Sequence, residues 1–226
     1  IIVIDPGHGG KDVGAEVRRR NGDDIYEKNI DLAIAYRLRY YLEAAGATVY
    51  MIREDDRYVY HRARGSIADR AGGDLFLSIH NNSSDVASVH GTETWYYEKV
   101  DLYDRTLESR YGISSKGVAE AIHAELVAAL GTRDRGVRST SDLAVLVGGE
   151  LPAVVIEGAY MSNPGDLSLI LSDGYPDRYA FAVAKAVVRV AGGDAMSVGS
   201  EDDKDIAMPA KKMSGNGLMV FSAYIG

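Results

Sequence analysis

Three apolar runs in this chain each stop on a side chain that can bind or activate a metal. Ile1-Ile2-Val3-Ile4 leads into Asp5-Pro6-Gly7-His8, Leu75-Phe76-Leu77-Ser78-Ile79 into His80, and Ala153-Val154-Val155-Ile156 into Glu157. Nearly continuous, β-branched runs of this length read as strands buried on both faces, the habit of parallel sheets in α/β proteins. Such sheets gather their ligands beyond the carboxyl ends of the strands. Two imidazoles and a carboxylate delivered to one edge make most of a catalytic zinc site.

Between these runs the period becomes helical. Ile30, Ile34, Leu38, Leu42 and Ala45 predict a helix from Glu27 to Ala45, stopped by Gly46. Thr48 to Ile52 reads as a strand, His61 to Ala71 as a short helix, and Gly91 to Tyr97 as an edge strand rich in Thr and aromatics. Val118, Ile122, Leu126 and Leu130 predict a helix between Ser115, taken as its cap, and Gly131. Leu143 to Val147 reads as a further strand. Asn163-Pro164 is an N-cap followed by proline at the first helical position. Ala182 to Val190 closes the pattern as a helix ended by Gly192-Gly193. The alternation predicts one α/β domain over residues 1–192, a mostly parallel, mixed sheet with helices on both faces. Residues 193–226 read as a linker-like tail of small, polar and charged residues, with Leu218-Met219-Val220-Phe221 as a short terminal strand or the stub of a further module.

Composition removes several classes of function. With no cysteine, thiolate metal sites and disulfides are excluded, and any metal must rest on His and carboxylate. A formal charge of −8 without a basic stripe argues against nucleic acid as a partner. No apolar stretch approaches the roughly 20 residues that span a bilayer. The first residue is Ile inside a strand-like run, so a processed or trimmed chain is expected, and localisation is not read from it.

A catalytic zinc site needs three protein ligands and one open position. His8 and His80 supply nitrogen, and Glu27 supplies the carboxylate, because a helix that follows the first strand begins near that strand's end. A further carboxylate must move the proton, and Glu157 stands at the end of its own strand. Each residue taken singly has a plainer explanation. His8 suits a Gly-rich turn, His80 a loop hydrogen bond, and Glu27 a helix dipole. Glu157 resists such an explanation, since an isolated carboxylate closing an apolar run is costly to bury. Of the other histidines, His61 and His123 are poor ligand candidates, and His90 is a candidate for substrate contact.

Taken with their order and spacing, these residues resemble a family. Ile-Asp-Pro-Gly-His-Gly-Gly-Lys-Asp at 4–12, Glu27-Lys28 before Leu32-Ala33, Ser78-Ile79-His80-Asn81-Asn82, and Glu157 with Tyr160, Ser162 and Asn163 resemble the zinc-dependent N-acetylmuramoyl-L-alanine amidases of the Amidase_3 type. Arg53, Arg64, Gly91 and Gly136-Val137 fit the same pattern. The resemblance implies one Zn²⁺ per chain on His8, Glu27 and His80, with Glu157 as the catalytic carboxylate. It implies cleavage of the amide between muramic acid and L-alanine of the stem peptide, hence a peptidoglycan or muropeptide substrate. A secreted or otherwise extracytoplasmic, monomeric autolysin-type hydrolase is expected, with Asn82, Arg64, His90 and Tyr160 as candidate substrate contacts. A zinc carboxypeptidase or related amidohydrolase, or a catalytically silent wall-binding module, are the competing readings. Two positions depart from the family: Gly158-Ala159 follows Glu157 where glycine is common one residue later, and Asn81 follows His80 where a small residue is frequent. The stretch from Glu98 to Ser114 is too short for a helix that plugs the cleft, so an open site is expected.

Overall fold

The computed structural model describes residues 1–97 and 112–193. The strand-to-helix alternation becomes a six-stranded sheet built from β1 (Ile2–Pro6), β4 (Val49–Met51), β5 (Leu75–Asn82), β6 (Thr92–Tyr96), β7 (Asp134–Ser139) and β8 (Ala153–Tyr160), in the order β4-β1-β5-β8-β6-β7. β4, β1, β5 and β8 run parallel, β6 is antiparallel to β8, and β7 is parallel to β6. A small antiparallel hairpin, β2 (Glu16–Val17) with β3 (Ile25–Tyr26), stands apart from this sheet.

Successive side chains on a strand point to opposite faces, so each buried run feeds two cores. Ile4, Leu77, Ile79, Val154 and Ile156 face α1 (Glu27–Ala44), α3 (Ser115–Leu130) and α6 (Tyr175–Val190), whose Ile34, Leu38, Ile122, Leu126 and Val183 are fully buried against them. Val3, Phe76, Ala153 and Val155 face the other way, onto Ala68 of α2 (His61–Arg70) and Leu146 of α4 (Ala144–Val147). The seven residues of α5 (Pro164–Ile170) follow β8 and are capped by Asn163, whose Oδ1 accepts from the backbone of Gly165 and Asp166. Among the described residues no helix is long and apolar enough to cross a membrane.

Three expectations change. Leu143 to Val147 is not a strand: Ala144–Val147 is one helical turn, with Leu146 buried and Val147 exposed. A five-residue apolar run lacks the length that separates strand from buried helix. Gly65 and Gly149 allow a close approach beside this turn, since a Cβ on Gly65 would strike the backbone of Gly149, and two bare backbones let α2 and the residues just after α4 touch. The strand expected over Gly91–Tyr97 forms, but it is interior, because β7 pairs along its outer side. β7 was hidden by its polar sequence, Asp-Arg-Gly-Val-Arg-Ser, which suits an edge and shows no alternation. The cap of α3 is Ser114, one residue earlier than expected; Ser115 instead accepts the Ala153 backbone N–H at 3.0 Å. The tail from 194 and the segment 98–111 lie outside the described residues.

Candidate active site

β1, β5 and β8 are parallel neighbours, so their carboxyl ends share one edge, and His80 lies directly opposite Glu157 in the β5–β8 register. His8 follows β1 in a turn that holds it at φ 58°, a left-handed conformation rare for a residue with a Cβ. Three cations stabilise that turn by gripping its carbonyls. Arg53, fully buried, donates to the carbonyls of Pro6 (3.0 Å), Gly7 (2.6 Å) and Lys28 (2.7 Å). Arg64 donates to Asp5 Oδ1 at 2.6 Å and to the carbonyls of Pro6 (2.8 Å), His8 (2.6 Å) and Val59 (3.0 Å). Lys28 donates to the Gly10 carbonyl at 2.9 Å and to Asp56 at 2.7 Å. Gly7 is required by contact rather than by φ, because a Cβ there would run into the His80 ring and lie 2.6 Å from Asp31 Oδ2.

The ligand candidates meet at Glu27. Its Oε1 lies 3.1 Å from His8 Nε2 and 2.9 Å from His80 Nδ1, and the two imidazoles stand edge-on with centroids 4.9 Å apart. Glu27 Oε2 accepts the Ala15 backbone N–H at 2.7 Å, which fixes the carboxylate plane. The other nitrogen of His8, Nδ1, is 2.9 Å from Asp12 Oδ1, so the ring is oriented with Nε2 left to face the cluster. Burial alone would raise the Glu27 pKa, but the hydrogen bonds from His8 and His80 outweigh it and hold the group far below the usual carboxylate range. Burial would lower His8, yet Glu27 and Asp12 raise it. Two imidazole nitrogens and a carboxylate oxygen turned onto one point, in a chain without thiols, form a donor set that suits Zn²⁺.

Glu157 sits one strand over. Its Oε2 is enclosed and has no hydrogen-bond partner among the described residues. Burial, followed by the charges of Glu27 and Glu93, pushes its pKa well up. Among the described residues nothing donates to this enclosed carboxylate oxygen, and both burial and the neighbouring carboxylates favour its neutral, proton-bearing form.

Two acidic residues at this site were not foreseen. Asp31 joins His8, Glu27 and His80 in one cluster, wholly buried; its pKa is raised by burial and by Glu27. The available signal was its spacing, four residues after Glu27 on the same helix face. Glu93 lies opposite Glu157 in the β6–β8 register. Its Oε1 accepts from Asn82 Nδ2 (2.7 Å) and Tyr160 Oη (2.9 Å), and its Oε2 pairs with Arg135 at 3.1 Å. A lone carboxylate inside the β-forming run Thr92 to Tyr96 invited the same question asked of Glu157.

The expected substrate contacts divide. Asn82 is half-buried at the end of β5, and His90 stands in the loop before β6 with Nδ1 2.9 Å from the Ser88 carbonyl. Arg64, 2% exposed, is fully engaged in holding the His8 turn. Tyr160 is buried against Glu93, its pKa pushed up to about 12 by burial and by that carboxylate, with Arg135 5.0 Å over its ring. His123 is a buried clip between Thr94 (3.1 Å) and Asp134 (2.9 Å).

Comparison with known proteins points one way. The family described as N-acetylmuramoyl-L-alanine amidase (Amidase_3) matches residues 2–189. The chain is 38% identical over 187 residues to the N-acetylmuramoyl-L-alanine amidase LytC of Bacillus subtilis, covering 83% of this chain but 34% of LytC. It is 30% identical over 203 residues to the germination-specific N-acetylmuramoyl-L-alanine amidase of the same organism, covering 84% of this chain and 78% of that protein. Among solved structures, the catalytic domain of CwlV from Bacillus (Paenibacillus) polymyxa var. colistinus superposes with a TM-score of 0.72 at 30% identity, over 84% of this chain and 97% of that domain.

Proposed function

Because the chain belongs to the Amidase_3 family of N-acetylmuramoyl-L-alanine amidases, we propose that it hydrolyses the muramoyl–L-alanine amide of peptidoglycan with a single Zn²⁺ held by His8, Glu27 and His80. The observation that carries this reading is the meeting of His8 Nε2 and His80 Nδ1 at Glu27 Oε1, with the unpartnered Glu157 oxygen on the adjoining strand. When bound, the metal supplies Lewis-acid polarisation of the amide carbonyl and makes an attacking water more acidic. Glu157 takes the proton of that water and delivers it to the alanine nitrogen as the C–N bond breaks, leaving a carboxylic acid on the lactyl side and a free amine on the peptide. Asn82 and His90 are the candidates for contact with substrate, and Glu93 keeps Asn82 and Tyr160 in place around Glu157. Since peptidoglycan lies outside the cytoplasm, the protein acts there.

Mass spectrometry of purified peptidoglycan after digestion tests the bond. Stem peptides with a new L-alanine amino terminus and uncut glycan strands are expected. New reducing ends would assign a glycosidase, and loss of a terminal D-alanine alone would assign a zinc carboxypeptidase.

Metal removal tests the centre independently. One Zn²⁺ per chain is expected by elemental analysis, with activity abolished by a chelator and restored by added Zn²⁺. Full turnover by metal-free protein would end the zinc mechanism.

A further inference from the structure

Residues directly opposite each other on paired strands share a face of the sheet, as do residues two apart on one strand. Glu93 pairs with Glu157 and Trp95 with Val155 across β6 and β8, and Trp95 pairs with Arg138 across β6 and β7. Trp95 and Arg138 therefore stand on the face that presents Glu157. Glu93 is buried and both of its oxygens are occupied, Oε1 by Asn82 and Tyr160 and Oε2 by Arg135 Nε at 3.1 Å. Arg138 is left 3.9 Å from that same Oε2, beyond a hydrogen bond, and among the described residues it donates only to the Arg135 carbonyl at 3.5 Å. Its guanidinium instead lies 5.4 Å from the centre of the Trp95 ring, as that of Arg135 lies 5.0 Å from the centre of Tyr160. An aromatic face steadies a guanidinium without using its N–H donors.

Two guanidiniums share one carboxylate, so this corner keeps a positive charge in a chain whose formal charge is −8. A planar fork of donors mounted on an aromatic ring matches a carboxylate better than it matches a sugar hydroxyl or an amide. We propose that Arg138, on its Trp95 shelf, is an anion subsite that takes a free carboxylate of the stem peptide and selects acidic over amidated stems. The proposal rests on the reading of the chain as a muramoyl–L-alanine amidase. β7 lies two strands from β8, roughly 10 Å, a span that about three extended residues cover. The carboxylate recognised therefore belongs to the first residues after the bond that is cut. Arg135 has a different part: its Nε is committed to Glu93, and it leaves the outer position to Arg138.

Steady-state kinetics of the Zn²⁺-loaded full chain on two synthetic muramoyl peptides test this. The peptides differ only in whether the second stem residue carries a free carboxylate or a carboxamide. Wild-type protein is expected to show a KM about 10-fold lower for the acid at similar kcat, the effect of one hydrogen-bonded charge pair. Arg138→Gln is expected to raise the KM of the acid to that of the amide and to leave the amide's KM and kcat where they were. A general loss of structure would move both substrates together. Equal KM values for the two peptides in wild-type protein would overturn the proposal, and that comparison needs no variant to fold. An acid preference that survives Arg138→Gln would overturn it equally. Cleavage of neither peptide by wild-type protein would overturn the amidase reading and this proposal with it, whereas cleavage of both with equal KM removes the subsite alone.

Discussion

Replacing Glu157 by Gln is expected to reduce turnover by roughly 10² or more while a full equivalent of Zn²⁺ stays bound. The substituted amide would keep the volume of the side chain and its place opposite His80 but could not accept a proton from water. Glu27→Gln is expected to do the reverse in kind. It removes the charged oxygen on which both imidazoles converge, so metal is lost first and activity follows. Equilibrium dialysis with elemental analysis, run beside kcat measurements, separates the two roles. Zinc lost from Glu157→Gln but kept by Glu27→Gln would exchange them.

A second large effect is expected at Arg64, in stability before catalysis. Arg64→Met would leave the Asp5 carboxylate, fully buried, with only the Ser78 hydroxyl donating to it from a side chain among the described residues, and would release the carbonyls of Pro6 and His8. Removing one partner of a buried ion pair costs about 3–5 kcal/mol. For a domain of this size that is a fall in Tm on the order of 10 °C. Arg64→Lys should recover only part of the loss, because an ammonium cannot reproduce a planar fork spread over several acceptors. Thermal melts followed by circular dichroism measure it. An unchanged Tm with a raised KM would instead return Arg64 to the substrate-contact role suggested by its sequence position.

What the sequence made legible was local. Each strand of the central sheet that delivers one of the four expected site residues is an apolar run ending at a conspicuous polar side chain, and such an ending is visible without knowing any partner. The helix of Glu27 was equally plain, because its apolar residues repeat at helical spacing. Features defined by distant partners stayed hidden. Arg64 was expected as a substrate contact, and its burial comes from Asp5, 59 residues earlier. Asp31 and Glu93 acquire meaning only from Asn81 on another strand and from Tyr160 and Arg135 on two more. β7 was missed for a related reason: one apolar residue, Val137, carries no pattern, and its strand conformation is imposed by the neighbouring β6.

The pairing of His80 with Glu157 has a consequence for how such a site can be modified. Adjacent strands in a sheet lie about 4.8 Å apart, a length set by the peptide ladder and not by any side chain. The spacing of the two backbone positions that carry the imidazole proposed to hold the metal and the carboxylate proposed to move the proton is therefore a ruler built into the sheet. Loops along the rim of the cleft can lengthen, shorten or change charge without altering it. What the cleft admits and what it does to its guest are in this way adjustable separately.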